Sequence, residues 1–546
     1  MINIVLNMNQ NYFLSFLILF TTTTVLTSEL DPFDDPHFKE DRTTIVNLFE
    51  WRFDEIAREC ERFLGSRGYG GVLTSPVWEH ELIKNPLVGN RYGLVSYKIA
   101  TRYGDETQLA DMVKRCNNVG VRVYVDCNVG STTFPYEGKG FGGTPFYGAN
   151  KSYPGVPYTY ENFNSKKVCP TESGDIENPK DLVQLRNCML TDLNDLNNGQ
   201  EYVQNKIAEA LNKLISLGIA GIRVDASYMS WPKDLGEIFK KLDNLNPKYF
   251  EPNSTLYIFH SINYEDGLPP GPGPSPYDYL KIGSIIAVVT RDIVVDSFLK
   301  DDFARIKQLR YLNEKSSIPS NSAVSFIDAP AYQFTEVPEG INFRQPFLLI
   351  KATAFLLAWP FGTALVMSSY NYTIDPAPEF WKINPMARKW VAGKAPVGPN
   401  GYSLDVFIKP DSSCSQPWIC EHRWKPIGSM VKFRNVVGDA PVSNWINLGE
   451  DVIAFSRESK GFILIVNDNT LVDNVFQTGV PSGKYCDIIS GEVIGGTKKT
   501  CSGRTIQVRN GGQARIVLDG GLDKIGVIAF HIESRLPDQV FLSIFK

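Results

Sequence analysis

The chain has 546 residues, 43% of them apolar, with 55 Lys and Arg against 60 Asp and Glu for a net charge of −5. Such a composition excludes a disordered or fibrous protein and leaves room for two or three globular domains. With no basic excess and no Lys/Arg block, neither nucleic acid nor an anionic membrane is expected as a partner.

The first 28 residues hold the apolar run Tyr12 to Phe20, followed by Thr- and Ser-rich sequence. That run is too short to span a bilayer, so 1–28 reads as a cleaved secretory signal. No Lys or Arg precedes Lys39, which keeps an uncleaved anchor as the alternative. No later stretch reads as transmembrane. Thr43 to Phe49 is β-branched and apolar, a strand, and Phe53 to Leu64 has helical periodicity. Gly70 to Thr74 is a second strand, Asp105 to Asn118 a helix, and Val121 to Val125 a third strand ending at Asp126. Strands alternating with helices of this length imply βαβ units and a parallel sheet. The pattern then breaks: residues 130 to 195 are rich in Gly, Tyr, Pro and Asn, without a long periodic segment.

Regular structure resumes with a helix over Tyr202 to Leu217 and a short buried strand, Gly218 to Val224, that ends on Asp225. Arg223 and Asp225 lie two residues apart, so on a regular strand they point the same way. A neighbouring guanidinium is expected to keep Asp225 ionised and oriented. On these residues alone, a structural ion pair at a barrel strand and a catalytic carboxylate are equal readings. A helix is expected from Trp231-Pro232 through Leu242. Further strands are expected at Leu256 to Phe259, near Ile285 to Val289, at Val324 to Ile327 and at Thr363 to Met367, which makes eight. Residues 267 to 276 are a Pro/Gly-rich excursion. From about Gly438 helices stop and short alternating strands take over. Nine cysteines fit an oxidising compartment, and none of their spacings suggests zinc. Asn150, Asn253 and Asn371 open N-glycosylation acceptor triplets.

Five stretches carry a specific likeness: Gly221-Ile-Arg-Val-Asp-Ala-Ser227, Leu48-Phe-Glu-Trp-Arg52, Ser173-Gly-Asp-Ile-Glu-Asn178, Val366-Met-Ser-Ser-Tyr370 and Cys420-Glu-His-Arg-Trp424. Together they resemble the animal-type α-amylases of the α-amylase family of glycoside hydrolases, from about Arg42 to about Ser534. The resemblance implies an α/β fold: a (β/α)8 TIM barrel, a loop-rich insert after the third strand and a C-terminal all-β sandwich. The corresponding parts are barrel at 29–126 and 197–437, insert at 127–196 and sandwich at 438–546. It also implies bridges Cys60–Cys116, Cys169–Cys188, Cys414–Cys420 and Cys486–Cys501, leaving Cys127 as a buried inert thiol.

A retaining glycosidase needs a carboxylate nucleophile and a second carboxyl about 5 Å away, as acid and then base; this family adds a third carboxylate. By resemblance the nucleophile position is Asp225. The acid/base position is Ser261, whose hydroxyl cannot act as a tuned acid near neutral pH. Neighbouring His260 should point to the opposite face, Glu265 is the alternative acid, and Ser261 with a His and an Asp is a weaker triad reading. The motif that should end Asn-His-Asp reads Ala329-Pro330-Ala331 after a retained Asp328, so the third carboxylate position is Ala331. The sugar-binding Asn-His after the third strand has become Gly130 and Ser131.

The implied calcium site uses position 130, Asp195 and backbone oxygens of Arg186 and Met229. The implied chloride site uses Arg223 with positions 329 and 365, here Ala329 and Leu365. Both ions are therefore doubtful. The paired groove tryptophans are Val88 and Gly89, while Tyr92 remains as a sugar-contact candidate. General acid–base catalysis contributes about 10²–10⁴-fold, so the loss at Ser261 alone removes roughly 3–5 kcal/mol. The expectation is a secreted, monomeric, amylase-like pseudoenzyme that binds a glucan or a protein. The alternative is an active or altered glycosidase built on Asp225.

Overall fold

The computed structural model describes residues 32–190, 192–262, 273–316, 318–333, 340–373, 393–496 and 499–537. The expected signal segment, Glu265 and most of the Pro/Gly-rich excursion lie outside those residues. Eight parallel strands close into a barrel in sequence order: β1 Thr44–Leu48, β2 Gly71–Thr74, β3 Arg122–Cys127, β4 Gly221–Val224, β5 Tyr257–His260, β6 Ser284–Ile286, β7 Ala323–Phe326 and β8 Thr363–Ser368. Most of their residues are buried, because barrel strands face side-chain layers inside and helices outside.

The outer helices include α1 Phe53–Glu59, α2 Glu106–Asn118, α3 Glu201–Leu217, α4 Pro232–Phe239, α5 Val288–Leu299, α6 Pro346–Ala358 and α7 Lys425–Val437. The strand expected through Val289 is corrected here. β6 stops at Ile286, and Val288 already opens α5. Its β-branched run has no alternation and no polar cap, since Ala287 makes no side-chain cap bond, so pattern could not separate strand end from helix start. α4 likewise ends at Phe239, short of the expected Leu242.

The insert between β3 and α3 is loop-rich, with a short hairpin of Glu137–Lys139 and Pro145–Tyr147 and the helix Leu182–Asn187. It is docked through buried Glu79, whose carboxylate accepts from Ser96 Oγ and, at 3.1 Å, from Thr144 N. At the opposite end of the barrel, residues 32–38 cross the strand starts. Asp34 accepts from Ser284 Oγ and Ser322 Oγ, each at 2.8 Å, and Arg122 Nε donates to His37 O at 2.7 Å.

After α7 come β9 Val442–Asn447, β10 Val452–Arg457, β11 Gly461–Val466, β12 Leu471–Gln477, β13 Gln513–Asp519 and β14 Val527–His531. β9, β10, β11 and β14 form one antiparallel sheet, while β12 pairs with β13. β10 and β11 are buried along their whole length, so their alternation serves two cores. Ala454, Phe462, Leu464 and Phe530 meet β12 and β13, whereas Phe455, Ile463 and Ile465 join the barrel core. All four expected disulfides are present, and Cys127 is the one free cysteine among the described residues, buried in β3.

Candidate active site

The carboxyl ends of β3, β4, β5 and β7 bring the sequence-selected residues to one end of the barrel. Gly221 starts β4 because a Cβ there would stand 2.4 Å from Tyr257 O; only glycine lets β4 and β5 approach so closely. At the other end of the strand, Ala226 takes φ +46°. This left-handed conformation costs a residue with a Cβ free energy, and it turns the chain directly after Asp225.

Arg223 and Asp225 do face the same way. Arg223 Nη1 lies 2.7 Å from Asp225 Oδ1 and donates to Asp126 Oδ1 at 2.6 Å. Tyr92 OH donates to Asp126 Oδ2 at 2.6 Å, and Arg91 Nη2 donates to Tyr92 OH at 3.0 Å. Arg91 is sandwiched between Phe49 and Tyr92, with its guanidinium 4.3 and 4.4 Å from the ring centroids. Behind it, Arg102 binds Glu50 through two bonds of 2.9 and 2.6 Å. Three carboxylates (Glu50, Asp126, Asp225) thus face three guanidiniums (Arg91, Arg102, Arg223).

Burial raises the Asp225 carboxyl above its ordinary value, while Arg223 acts in the expected direction and favours the ionised form. The guanidinium opposes that shift without cancelling it, because nearby Asp126 adds negative charge. Sequence reasoning did not single out Asp126 as the hub, nor Arg91. The available signal was a second carboxylate at a barrel-strand end, paired in register with Arg223.

Ser261 follows β5 and joins β4 through its backbone, with Ser261 N donating to Val224 O at 3.0 Å and Ser227 N to Ser261 O at 3.1 Å. It therefore stands beside the strand end that carries Asp225. His260 points away as expected. Its ring is buried between Ser227 Oγ at 2.9 Å and Ile282 O at 3.0 Å, and burial pushes its pKa down to about 4. A Ser261–His260 triad is therefore not assembled. Ala331 sits exposed in the short helix Pro330–Gln333. One carboxyl missed by sequence reasoning, Glu81, has a pKa pushed by burial up to about 7. Its oxygens accept from Tyr136 OH and Asn90 Nδ2, so it braces the insert against the segment that leads to Tyr92.

Neither implied ion fits the residues present. Gly130 offers no side-chain oxygen, and a Cβ there would meet Ser230 Oγ at 3.2 Å. Asp195 spends Oδ2 on Asn164 Nδ2 at 2.7 Å, and burial holds its carboxyl well above the usual range. Among the described residues no three His, Cys, Asp or Glu side chains converge as a metal site. Of the side-chain oxygens implied for a calcium shell of six to eight, Asp195 alone remains. For chloride, Arg223 Nη1 is already committed to two carboxylates, and Ala329 and Leu365 bring no side-chain donor. In the groove, Val88 is buried and Tyr92 is held by Asp126.

The chain is 39% identical over 515 residues to an α-amylase of Dermatophagoides pteronyssinus, covering 92% of this chain and 99% of that one. It is 38% identical to pancreatic α-amylase of Homo sapiens, covering 92% and 96%. The chain belongs to the α-amylase family. Residues 445–533 match the family model for the α-amylase C-terminal all-β domain. The crystal structure of wild-type α-amylase I from Eisenia fetida superposes with a TM-score of 0.82 at 33% identity, covering 91% of this chain and 98% of that one. A mutant of the same enzyme, solved with maltohexaose, superposes equally well. The α-amylase family thus supplies the barrel, the all-β domain and an amylase-like, carbohydrate-directed framework for the site described above.

Proposed function

We propose that the protein is a secreted α-amylase-fold pseudoenzyme that has lost α-1,4-glucan hydrolysis and binds a glucan or a protein through the old catalytic face. One observation carries the reading: Asp225 keeps its partner Arg223 at 2.7 Å, yet Ser261 stands where the family's acid/base carboxyl belongs. A natural glucan needs a proton on its leaving oxygen, and no carboxyl at 261 or 331 supplies it. Calcium and chloride, the ions the family implies, are proposed to be dispensable. The chain is proposed to act as a monomer with the barrel, insert and sandwich boundaries given above. Four disulfides and exposed asparagines at 150, 253 and 371 support export and N-glycosylation.

The test is starch hydrolysis by wild type against Asp225→Asn. Equal, background-level rates are expected. Wild-type turnover well above the mutant would sink the reading and point to an altered glycosidase that uses Asp225. The intact Arg223–Asp225 pair favours that second reading for one substrate class alone, aryl glycosides whose leaving group needs no proton.

A further inference from the structure

We propose that Asp328 and Glu421 form a buried acid pair that retains a proton and locks the corner after β7, and that this corner loosens when the proton leaves. The two carboxyls come from distant segments, the end of β7 and the turn Glu421–Arg423 before α7. Asp328 Oδ2 accepts from Gln333 Nε2, which also donates to Ser369 Oγ at 2.6 Å. Ser369 N donates to Glu421 Oε2 at 2.7 Å. The remaining oxygens, Asp328 Oδ1 and Glu421 Oε1, are buried without a hydrogen-bond partner. Both residues line one small cavity, about the size of a water molecule, whose other walls include Leu349, Leu356, Leu365 and Ile427.

The surrounding charges are engaged elsewhere. From α5, Arg291 faces Asp328 but binds Asp292 Oδ1 at 2.7 Å and Ile327 O at 3.2 Å, and stacks 3.9 Å over Tyr332. Tyr372 donates to Gln333 O and lies under Arg344 at 4.6 Å. Next to Glu421, His422 and Arg423 both bind Glu59, at 3.0 and 2.6 Å.

Leu365, where the family resemblance places a chloride ligand, fills the cavity wall with hydrocarbon. Two ionised carboxylates in such walls are unfavourable without a partner. A metal would need several more oxygens than these two. A proton on either carboxyl removes one of the two buried charges and turns an unpartnered oxygen into a donor facing the cavity. Burial acts the same way, pushing Asp328 well above the carboxylate range and Glu421 up to about 7. Gln333 closes the short helix Pro330–Gln333 onto Asp328, so a displacement of Asp328 would carry with it the segment that holds Pro330 and Ala331.

The pair's folded pKa is raised, so the native state holds a proton that the unfolded chain releases above about pH 4. Stability from this pair is present at low pH and is lost as pH rises towards about 7, at up to about tenfold in the folding constant per pH unit. Asp328→Asn and Glu421→Gln mimic the protonated forms. Urea midpoints measured from pH 5 to 8 should fall more steeply for wild type than for either variant. Wild type should also show, beyond the contribution of Glu81, an infrared band of a protonated carboxylic acid that titrates near neutral pH and is reduced in Glu421→Gln. Parallel pH curves, or no titrating band, would overturn the proposal. So would a midpoint shift on adding sodium, potassium or calcium that wild type shows and both variants lack, since a cation would then hold the pair. If neither variant folds, the band is read in a Glu81→Gln background, because Glu81 is also pushed up to about 7; its absence there overturns the proposal.

Discussion

Arg223 gathers Asp126 and Asp225 on a single guanidinium nitrogen, inside a cluster of three acids and three guanidiniums. Its removal therefore leaves two carboxylates at 8% and 25% side-chain exposure without their shared cation. Breaking a buried pair from one side costs about 3–5 kcal/mol, and the partial exposure of Asp225 places Arg223→Met near the lower end. Urea unfolding at pH 7 should show that loss, shrinking in acid as the carboxyls protonate; an unchanged midpoint would mean water already solvates them. Ser261→Glu should not restore starch hydrolysis, because Pro330, Ala331 and Ser131 leave the sugar unheld. Only the combined change with Pro330→His, Ala331→Asp and Gly130-Ser131→Asn-His has a route to turnover, measured by reducing-sugar release. At this scale Asp225 and Arg223 were legible because their spacing on one strand fixes their shared face. Asp126 and Glu421 were not, because their importance arises from partners 97 residues away for Asp126 and 52 for Glu421.

Helix and strand signals were legible wherever local chemistry agreed with the fold. α2 begins where Asp105 Oδ1 accepts from Gln108 N at 2.9 Å while Gln108 Oε1 accepts from Asp105 N at 3.0 Å, a reciprocal cap written into four consecutive residues. Asp105→Ala should cost about 1 kcal/mol and lower the thermal midpoint without altering the site. A variant as stable as wild type would show that the Cys60–Cys116 bridge, which ties α2 to the helical segment after α1, already fixes the helix start. The β6–α5 junction was illegible for the converse reason. Ile285 to Val289 is uniformly apolar and runs across the strand end into the helix that starts at Val288, so neither period emerges. The buried strands β10 and β11 read correctly as strands, yet only their two-sided packing shows that they join two cores.

The whole molecule is held by that shared sheet and by Arg457, which donates to Ala358 O at 2.8 Å and Gly438 O at 2.7 Å across the junction. An ion bound only by the native state would add stability by mass action. With Gly130 and a committed Asp195 in the calcium positions, a chelator should shift the melting temperature by less than about 2 °C, the change that roughly 1 kcal/mol produces in a large domain. A larger drop in differential scanning calorimetry would show that Asp195 and backbone carbonyls suffice for calcium.

The segment at 32–38 gives the barrel floor a mechanical property of its own. Asp34 is bonded to the start of β6 and the turn before β7, and His37 to the start of β3, so these few residues act as a drawstring across strands far apart in the chain. The drawstring precedes β1 in the chain. A truncation that kept Asp34 would leave the knot intact, whereas a cut only a few residues further in would untie it.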